Sequence, residues 1–192
     1  TATIVYQMYE EAGVKITPTI AGLLCSAIIS DTLLFRSPTC TAVDEKAAKR
    51  LAKIADINLE QMAQEMFRAG SSLKEKSAED ICFQDFKQFT VNDMVFGVGQ
   101  INSMNRDELE EIKETLMPHL PKVLESHKLQ MIYFMLTDIL DESTELLCFG
   151  NGAKAYIIDA YDLREDADKI ILKGVVSRKK QLIPTLVGAL QQ

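Results

Sequence analysis

The sequence predicts an α/β protein in which a helical N-terminal unit precedes a mixed β-sheet that carries helices on both faces. Up to about residue 70, apolar residues recur at the three- and four-residue spacing of helices. Beyond that point, short apolar runs typical of strands alternate with helical segments. The run at 130–136 is apolar on both faces, which is typical of a central strand that helices cover on each side.

The charge balance bears on the class of partner. The chain has 192 residues, of which 47% are hydrophobic, so it can bury a substantial core. Its 21 Lys and Arg residues are outnumbered by 28 Asp and Glu residues, and the formal net charge is −7. Because a protein that coats nucleic acid needs a basic surface, we expect no nucleic-acid partner. Any anion site must therefore be local.

Three further observations concern membrane contact, cellular location and the length of the protein. No apolar run approaches the roughly 18 residues that a membrane-spanning helix needs, so the sequence predicts no membrane contact. The four cysteines form no C-x-x-C pair and show no metal-finger spacing, which favours a reduced, cytoplasmic location. The chain begins at Thr1 without a methionine, and we expect it to belong to a longer protein.

Two helices are predicted in the first 30 residues. Gly13 is a typical C-terminal cap for the first, and Thr17 followed by Pro18 is a typical start for the second. Residues 20–30 are apolar nearly all round, so we expect the second helix to be buried.

Two more helices are predicted before residue 70. Thr41 with Asp44 three residues later resembles a capping box and predicts the start of the third. Asn58 with Gln61 three residues later predicts the start of the fourth, which we expect to end at Gly70. The small and polar residues at 71–78 then predict a linker between two folding units, 1–70 and 79–192.

The second unit is predicted to contain five strands and three helical segments. We expect strands at 87–90, 94–101, 129–136, 145–149 and 169–172. We expect helical segments at 106–127, 152–159 and 182–190.

Asp31 is a candidate site residue because it follows the apolar second helix. An isolated buried carboxylate costs several kcal/mol, so a carboxylate in that position needs a cation, a capping role or a metal ion. The residues alone leave these possibilities open.

A basic segment near residue 178 is a second candidate. Three consecutive cations, Arg178, Lys179 and Lys180, follow two valines and Ser177 at a predicted strand-to-helix junction. Such junctions are where α/β proteins hold anions, whereas solvated basic runs usually lie on helix faces or tails. The segment is therefore a candidate anion site, and a solvated basic turn is the alternative.

Other polar or glycine-containing motifs favour structural interpretations. His119 and His127 have no carboxylate or cysteine at ligand spacing, so neither is favoured as a metal or catalytic residue. Gly97 and Gly99 lack the third glycine of a dinucleotide-binding loop, and we expect a bulge or close packing there. A solvated hairpin connection, rather than a calcium loop, is expected for the acidic residues Asp138, Asp141, Glu142 and Glu145.

Two longer motifs carry a resemblance to a known family. Residues 26–41 read S-A-I-I-S-D-T-L-L-F-R-S-P-T-C-T, and residues 177–181 read S-R-K-K-Q. In this order they resemble the manganese-dependent, or family II, inorganic pyrophosphatases of the Asp-His-His phosphoesterase superfamily. The resemblance spans the whole chain.

The resemblance implies a two-domain enzyme. Residues 1–70 would be the helical C-terminal part of the Asp-His-His domain, 71–78 the linker and 79–192 the substrate-binding domain. The family's N-terminal His-x-x-x-Asp-x-Asp segment and its Asp-His-His motif have no counterpart here. We therefore expect the N-terminal half of the same enzyme as a partner.

The resemblance also implies the roles of four residues. Asp31 would ligate Mn²⁺ or Co²⁺, with Mg²⁺ possible, and the phosphates of pyrophosphate would be bound by Lys76, Arg178 and Lys179. The implied reaction is the hydrolysis of pyrophosphate to two phosphates, in which divalent metals activate water and cations stabilise the developing charge. Because one ligand cannot hold a dinuclear site, we expect this chain alone to be inactive.

Two alternatives to this function and one expectation about assembly remain. The chain could be an anion-binding or interaction module without catalysis, or a related phosphoesterase that acts on oligonucleotides or polyphosphate. In the family, this helical part of the domain covers a sheet that the present chain lacks. We therefore expect its apolar face to be buried in a homo-oligomer or to be poorly ordered. The apolar face expected to be involved comprises Ile28, Ile29, Leu33 and Leu34.

Overall fold

The computed structural model describes residues 1–71, 76–164 and 168–191. The chain folds as two compact units, Thr1–Gly70 and Ser71–Gln192. Residues 72–75 of the predicted linker lie outside the described residues, and Ser77 is already the N-cap of a helix.

The first unit consists of helices. They are α1 (Ala2–Ala12), α2 (Pro18–Thr32), α3 (Ala42–Ala55) and α4 (Leu59–Ser71). The helices α1, α2 and α3 pack against one another. Gly13 ends α1 in the left-handed conformation, with φ of 63°, and Thr17 accepts a hydrogen bond from the N–H of Ile20 at the start of α2. Both predicted caps are confirmed.

The capping of α3 and α4 is also confirmed. The hydroxyl of Thr41 accepts from the N–H of Asp44, and the Asp44 carboxylate accepts from the N–H of Thr41. The side chain of Asn58 accepts from the N–H of Gln61 at 2.9 Å. These pairs are local in sequence, which is why the residue types alone predict them.

The prediction that α2 is buried all round is wrong. The side of α2 that contains Ala21, Cys25 and Ile29 is fully buried, but Leu23 on another side is 65% exposed. A single helix in a small helical unit has neighbours on only part of its surface, so an all-apolar sequence leaves apolar groups exposed.

The apolar face expected to be exposed or poorly ordered is likewise different from the prediction. All four of the residues named for it are buried: Ile28, Ile29, Leu33 and Leu34. The large apolar side chains that are more than half exposed in the first unit are Ile4, Met8, Val14 and Leu23.

The second unit contains a five-stranded sheet and its helices. The strands are β1 (Phe86–Val91), β2 (Met94–Ser103), β3 (Met131–Asp138), β4 (Ser143–Gly150) and β5 (Ile171–Lys173). The α-helices are α5 (Ala78–Phe83), α6 (Arg106–Leu116), α7 (Leu120–Ser126), α8 (Ala153–Ala160) and α9 (Ile183–Leu190). A five-residue π-helix, Arg178–Leu182, directly precedes α9.

The sheet is mixed and has the strand order β1-β2-β3-β4-β5. The strands β2 and β3 are parallel, and the other neighbouring pairs are antiparallel. The central strand β3 is buried along nearly its whole length. Its alternate side chains enter two different cores, which explains why the sequence of this strand is apolar at every position.

Helices cover both faces of this sheet. On one face Tyr133 of β3 lies in a core with α8, the π-helix and α9, including Ile157, Leu182 and Leu186. On the other face Phe134 lies in a core with α5, α6 and α7. The predicted α/β fold with a mixed sheet and helices on both faces is therefore confirmed.

Some elements differ from the prediction. The helix α5 is absent from it, and the helical segment predicted at 106–127 is two helices. The two valines before the basic segment do not continue a strand, because β5 ends at Lys173. Val175 and Val176 are nevertheless buried, and side chains rather than a neighbouring strand satisfy their backbone groups.

The expectation of close packing at two glycines is confirmed. A Cβ atom at Gly97 would lie 2.1 Å from the ring of Phe86, and one at Gly99 would lie 2.4 Å from the ring of Phe134. Within the described residues, no helix is both long and apolar enough to cross a bilayer.

Candidate active-site segment

The basic segment is a loop that its own side chains close. The side-chain oxygen of Gln181 accepts hydrogen bonds from the N–H groups of Val176 and Ser177, both at 2.9 Å. Its amide nitrogen donates to the carbonyl of Gly174 at 2.5 Å. The hydroxyl of Ser177 in turn accepts from the N–H of Lys180 at 3.3 Å. The first and last residues of the S-R-K-K-Q motif therefore fix the backbone that carries the three cations.

The helical turn that follows is a π-helix rather than the start of an ordinary α-helix. It is closed by bonds between residues five apart, including one from the N–H of Leu182 to the carbonyl of Ser177 at 3.2 Å. Such single π-turns are rare and occur frequently at functional sites. Within this turn Arg178 is buried, whereas Lys179 and Lys180 are exposed.

Arg178 lies against the sheet, and only 8% of the residue is exposed. One terminal nitrogen, Nη1, donates to the carbonyls of Asp85 at 2.7 Å and Val98 at 3.2 Å. The other, Nη2, donates to Oδ1 of Asp85 at 2.7 Å, which makes an ion pair. The guanidinium is therefore held in one place by partners from the connection before β1 and from β2.

Gln100 of β2 also holds the same loop through hydrogen bonds to its backbone. Its side-chain nitrogen donates to the carbonyl of Val176 at 3.0 Å and to the hydroxyl of Thr137 at 3.1 Å. Its side-chain oxygen accepts from the N–H of Arg178 at 3.3 Å, and its own N–H donates to the carbonyl of Asp85 at 3.1 Å. Asp85, Gln100 and Arg178 thus form a closed ring of hydrogen bonds.

Lys76 is held at the same connection as Arg178. Its ammonium donates to the side-chain oxygen of Gln84 at 2.7 Å. Gln84 and Asp85 are the two residues between α5 and β1, so neighbouring residues hold two of the predicted substrate cations. The fold therefore brings the surroundings of Lys76 and Arg178 together although the two residues are distant in sequence.

Asp31 is exposed, so the expectation that it is a buried carboxylate in need of a partner is wrong. An exposed carboxylate keeps its hydration and incurs no burial cost. Asp31 lies near the end of α2 and lines a cavity of 360 Å³, to which Thr3, Ser30 and Asp44 also contribute. The prediction of a metal ligand at this position rests on the family resemblance.

The second carboxylate of that cavity, Asp44, already accepts hydrogen bonds from neighbouring residues. Asp44 accepts from the backbone N–H of Thr41 at 2.8 Å and from the Thr41 hydroxyl at 2.6 Å, and its other oxygen accepts from Thr3. Partial burial acts to raise the pKa of Asp44, but these hydrogen bonds outweigh that effect, so its pKa lies below the usual value.

The described part of the chain does not hold a complete metal centre. No group of three His, Cys, Asp or Glu side chains suited to a metal ion occurs among the described residues. Asp31 can offer one carboxylate, but a dinuclear centre needs several carboxylates and imidazoles. The donor set present here therefore fits one ligand of such a centre and not the whole centre.

The remaining polar candidates have structural partners. Nε2 of His119 lies 2.8 Å from the carboxylate of Glu79, although the alignment is poor for a hydrogen bond. In the acidic group, Asp138 and Asp141 pair with Arg106, and Glu145 lies 2.6 Å from Lys113. The expected solvated hairpin connection is confirmed for Asp141 and Glu142, which are exposed, but is wrong for Asp138 and Glu145, which lie in β3 and β4 with side chains only 13% and 15% exposed. Asp138 instead accepts from the N–H groups of Leu140 and Asp141 in the turn.

Three residues that surround the basic segment were not identified from the sequence: Gln84, Asp85 and Gln100. Gln100 carried a usable signal, because it is an amide within a run of apolar residues in a predicted strand. Gln84 and Asp85 carried none, since a polar pair between two elements is typical of any exposed connection.

A family model, the DHHA2 domain, matches residues 64–189 of this chain. The chain belongs to the DHHA2 domain family. The matched region includes Lys76, Arg178 and Lys179 together with Gln84, Asp85 and Gln100, whereas Asp31 precedes it.

Proteins similar to this DHHA2 chain are named as pyrophosphatases. A probable manganese-dependent inorganic pyrophosphatase of Staphylococcus saprophyticus is 43% identical over 190 residues, which are 99% of this chain and 61% of that protein. A cobalt-dependent inorganic pyrophosphatase of Clostridium perfringens is 43% identical over 186 residues, which are 97% of this chain and 34% of that protein. The DHHA2 chain thus spans about three-fifths of the first relative and a third of the second.

A solved structure supports the same relationship. The crystal structure of a Methanococcus jannaschii protein assigned to the family II inorganic pyrophosphatases superposes with a TM-score of 0.83 at 36% identity. The match covers 100% of this DHHA2 chain and 64% of that protein. The resemblance to manganese-dependent pyrophosphatases that the sequence predicts is confirmed.

Proposed function

We propose that this chain acts within a longer metal-dependent inorganic pyrophosphatase that hydrolyses pyrophosphate to two phosphates. Its contribution is Asp31 as one metal ligand and Lys76, Arg178 and Lys179 as the cations that bind substrate. The observation that carries the proposal is the closed S-R-K-K-Q loop, in which Ser177 and Gln181 fix the backbone of three cations.

The chemistry of pyrophosphate suits such a loop. Hydrolysis places additional negative charge on the leaving phosphate, and cations fixed beforehand stabilise that charge without reorganising. An Arg can donate two parallel hydrogen bonds to a phosphate, whereas a Lys acts as a point charge. Arg178 therefore suits orientation of the phosphate, and the exposed Lys179 suits neutralisation.

The metal and the remaining ligands belong to the same proposal. The relatives are named for manganese and cobalt, and a divalent ion of that kind would activate water and neutralise phosphate oxygens when bound. Asp31 would hold one position on it. The other ligands would come from the N-terminal portion of the longer enzyme, which we propose as the partner of this chain.

Two further features complete the proposal. We place the enzyme in the cytoplasm, since the four cysteines lack any disulfide or metal-finger spacing. We also propose a homo-oligomer, supported by the apolar side chains that α1 and α2 expose, including Met8 and Leu23.

The test uses pyrophosphate binding to the chain, measured by titration calorimetry. Lys179→Ala should weaken binding roughly tenfold or more, because a charge-assisted contact to an anion contributes about 1.5–3 kcal/mol. Lys122→Ala is the control, since Lys122 is an exposed cation on α7, outside the loop, and it should change binding by less than about threefold. Equal weakening by both substitutions, or no binding by the unaltered chain, would overturn the proposed function.

A further inference from the structure

The contact between Asp85 and Arg178 determines which edge of the guanidinium remains available. A guanidinium has five N–H groups. The described structure uses three of them: both N–H groups of Nη1, toward the carbonyls of Asp85 and Val98, and one of Nη2, toward Oδ1 of Asp85. Within the described part of the chain, the N–H of Nε and the second N–H of Nη2 have no hydrogen-bond acceptor.

The two remaining N–H groups form a usable pair. Asp85 bridges Nη1 and Nη2 with its carbonyl and its carboxylate, so it occupies the far end of the guanidinium. The N–H groups of Nε and Nη2 on the adjacent edge point in the same direction, which is the fork that binds two oxygens of a phosphate. Asp85 therefore holds Arg178 in a way that leaves one such fork.

The charges support the same interpretation. The Arg178 side chain is only 9% exposed, and an unpaired cation at that depth is costly. The Asp85 side chain is 51% exposed, so it can partner a buried arginine while remaining partly hydrated. Asp85 thus stabilises the inward position of Arg178 in the absence of any bound anion.

The backbone adds to the stiffness of this arrangement. The carbonyl of Asp85 also accepts from the N–H of Gln100, whose side chain binds the N–H of Arg178. A rotation of Asp85 would therefore disturb both ends of the arginine. This ring of contacts is more than a surface ion pair, which would be worth little.

We propose that Asp85 is a positioning residue for pyrophosphate binding, holding Arg178 by one end of its guanidinium so that the adjacent fork faces the substrate. The proposal rests on the proposed function, because it takes a phosphate as the ligand of Arg178. It assigns to Asp85 an indirect role, and Asp85 itself does not touch the substrate.

Two substitutions separate position from charge. Asp85→Asn keeps an oxygen that can accept from Nη2 and removes the negative charge, so its pyrophosphate affinity should stay within about threefold of that of the unaltered chain. Asp85→Ala removes the acceptor and should weaken binding about tenfold, as expected for a lost hydrogen bond to a charged group. Asp159→Ala, at an exposed carboxylate on α8, is the control and should leave binding unchanged.

A double-substitution cycle tests whether Asp85 acts through Arg178. Combined with Arg178→Ala, the substitution Asp85→Ala should cause no further loss of affinity, because its only route to the substrate is gone. Full additivity of the two losses would overturn the proposal, as would an Asp85→Ala chain that is folded and binds pyrophosphate normally.

A spectroscopic measurement distinguishes failure of this proposal from failure of the proposed function. The Nε–H resonance of Arg178, assigned by its loss in Arg178→Lys, should shift in Asp85→Ala without ligand and should shift again when pyrophosphate is added to the unaltered chain. If the first shift occurs and pyrophosphate has no effect, the proposed function is overturned and the contact stands. If pyrophosphate binds and shifts the resonance identically in Asp85→Ala and the unaltered chain, the positioning role is overturned.

Discussion

The side-chain oxygen of Gln100 accepts a hydrogen bond from the backbone N–H of Arg178 at 3.3 Å. An uncharged residue in the middle of β2 thereby holds the backbone of the arginine that the S-R-K-K-Q motif presents. Because Gln100 also donates to the carbonyl of Val176, the loop has an attachment on each side of Ser177.

Replacing Gln100 with Leu should destabilise the fold and loosen this loop. The change leaves a buried carbonyl and a buried N–H without their partner, which costs about 1–3 kcal/mol. Urea unfolding measures that loss, and Gln88→Leu on β1 is the matched control because Gln88 is exposed. A Gln100→Leu chain as stable as the Gln88→Leu chain would contradict the anchoring role.

Gly99 should not tolerate a side chain. A Cβ atom there would meet the ring of Phe134 at 2.4 Å, so Gly99→Ala should lower the free energy of unfolding by about 1–3 kcal/mol through overpacking. Gly188 of α9 is the control, because a Cβ atom there meets nothing within 4 Å. Gly188→Ala should stabilise the helix by about 0.5–1 kcal/mol, and thermal unfolding of the two variants should differ in sign.

The cysteine thiols should differ in reactivity. Burial raises the pKa of Cys25 to about 11 and that of Cys148 to about 12, and burial together with the charge of Glu79 raises that of Cys82 to about 12. Burial and the charges of Asp44 and Glu45 also raise the pKa of Cys40, but its thiol is partly exposed. At pH 8 Cys40 should therefore be alkylated before the buried Cys25 and Cys82, as peptide mass spectrometry would show. Unfolding in urea should remove the difference, and rapid native labelling of Cys25 or Cys82 would contradict it.

The same thiols should lower the stability of the folded protein at alkaline pH. The folded state favours the protonated thiols, since their pKa values lie above the ordinary value of 9.0. Their contribution to stability is therefore complete below pH 9 and is lost as the pH rises through 11 and 12. Urea midpoints between pH 8 and pH 11 should fall, and Cys82→Ala should reduce the slope of that fall.

The exposed apolar groups of the first unit should support self-association. Met8 and Leu23 are each at least 60% exposed, and burying such groups between two copies is favourable. Sedimentation velocity of a Met8→Lys, Leu23→Lys chain should show a smaller species than the unaltered chain shows. Leu140→Lys in the second unit is the control, because Leu140 is also exposed; an unchanged mass in every chain would contradict the prediction.

Local patterns accounted for most of the fold. The capping pairs of α2, α3 and α4 lie three residues apart, so the residue types were sufficient, and β3 was recognisable because apolar residues fill both of its faces. The short helix α5 was missed because its six residues are too few to show a period. The π-helix was missed because a polar R-K-K-Q run is typical of a loop.

The sequence pointed to the cations of the candidate site but not to the residues that hold them. The three cations at 178–180 were predicted as an anion site from their type and position, and the substrate roles of Arg178 and Lys179 from the family resemblance, but nothing in the sequence indicated that Arg178 would turn inward. That orientation depends on Asp85 and Val98, which are distant from Arg178 in sequence. The pairing of β1 and β2 brings these two residues next to each other. The role of Asp31 was inferred partly from a burial that the structure does not show.

The topology of the sheet has a consequence for the order in which the protein folds. β2 and β3 are parallel, so the chain must pass through α6 and α7 before they pair, and such distant contacts form slowly. The loop that carries Arg178 is held by Asp85 and Gln100 of the β1–β2 pair and by Thr144 of β4, and these two parts of the sheet are joined only when β2 pairs with β3. The cations are therefore assembled late in folding, and an intermediate with an incomplete sheet would have no competent anion site.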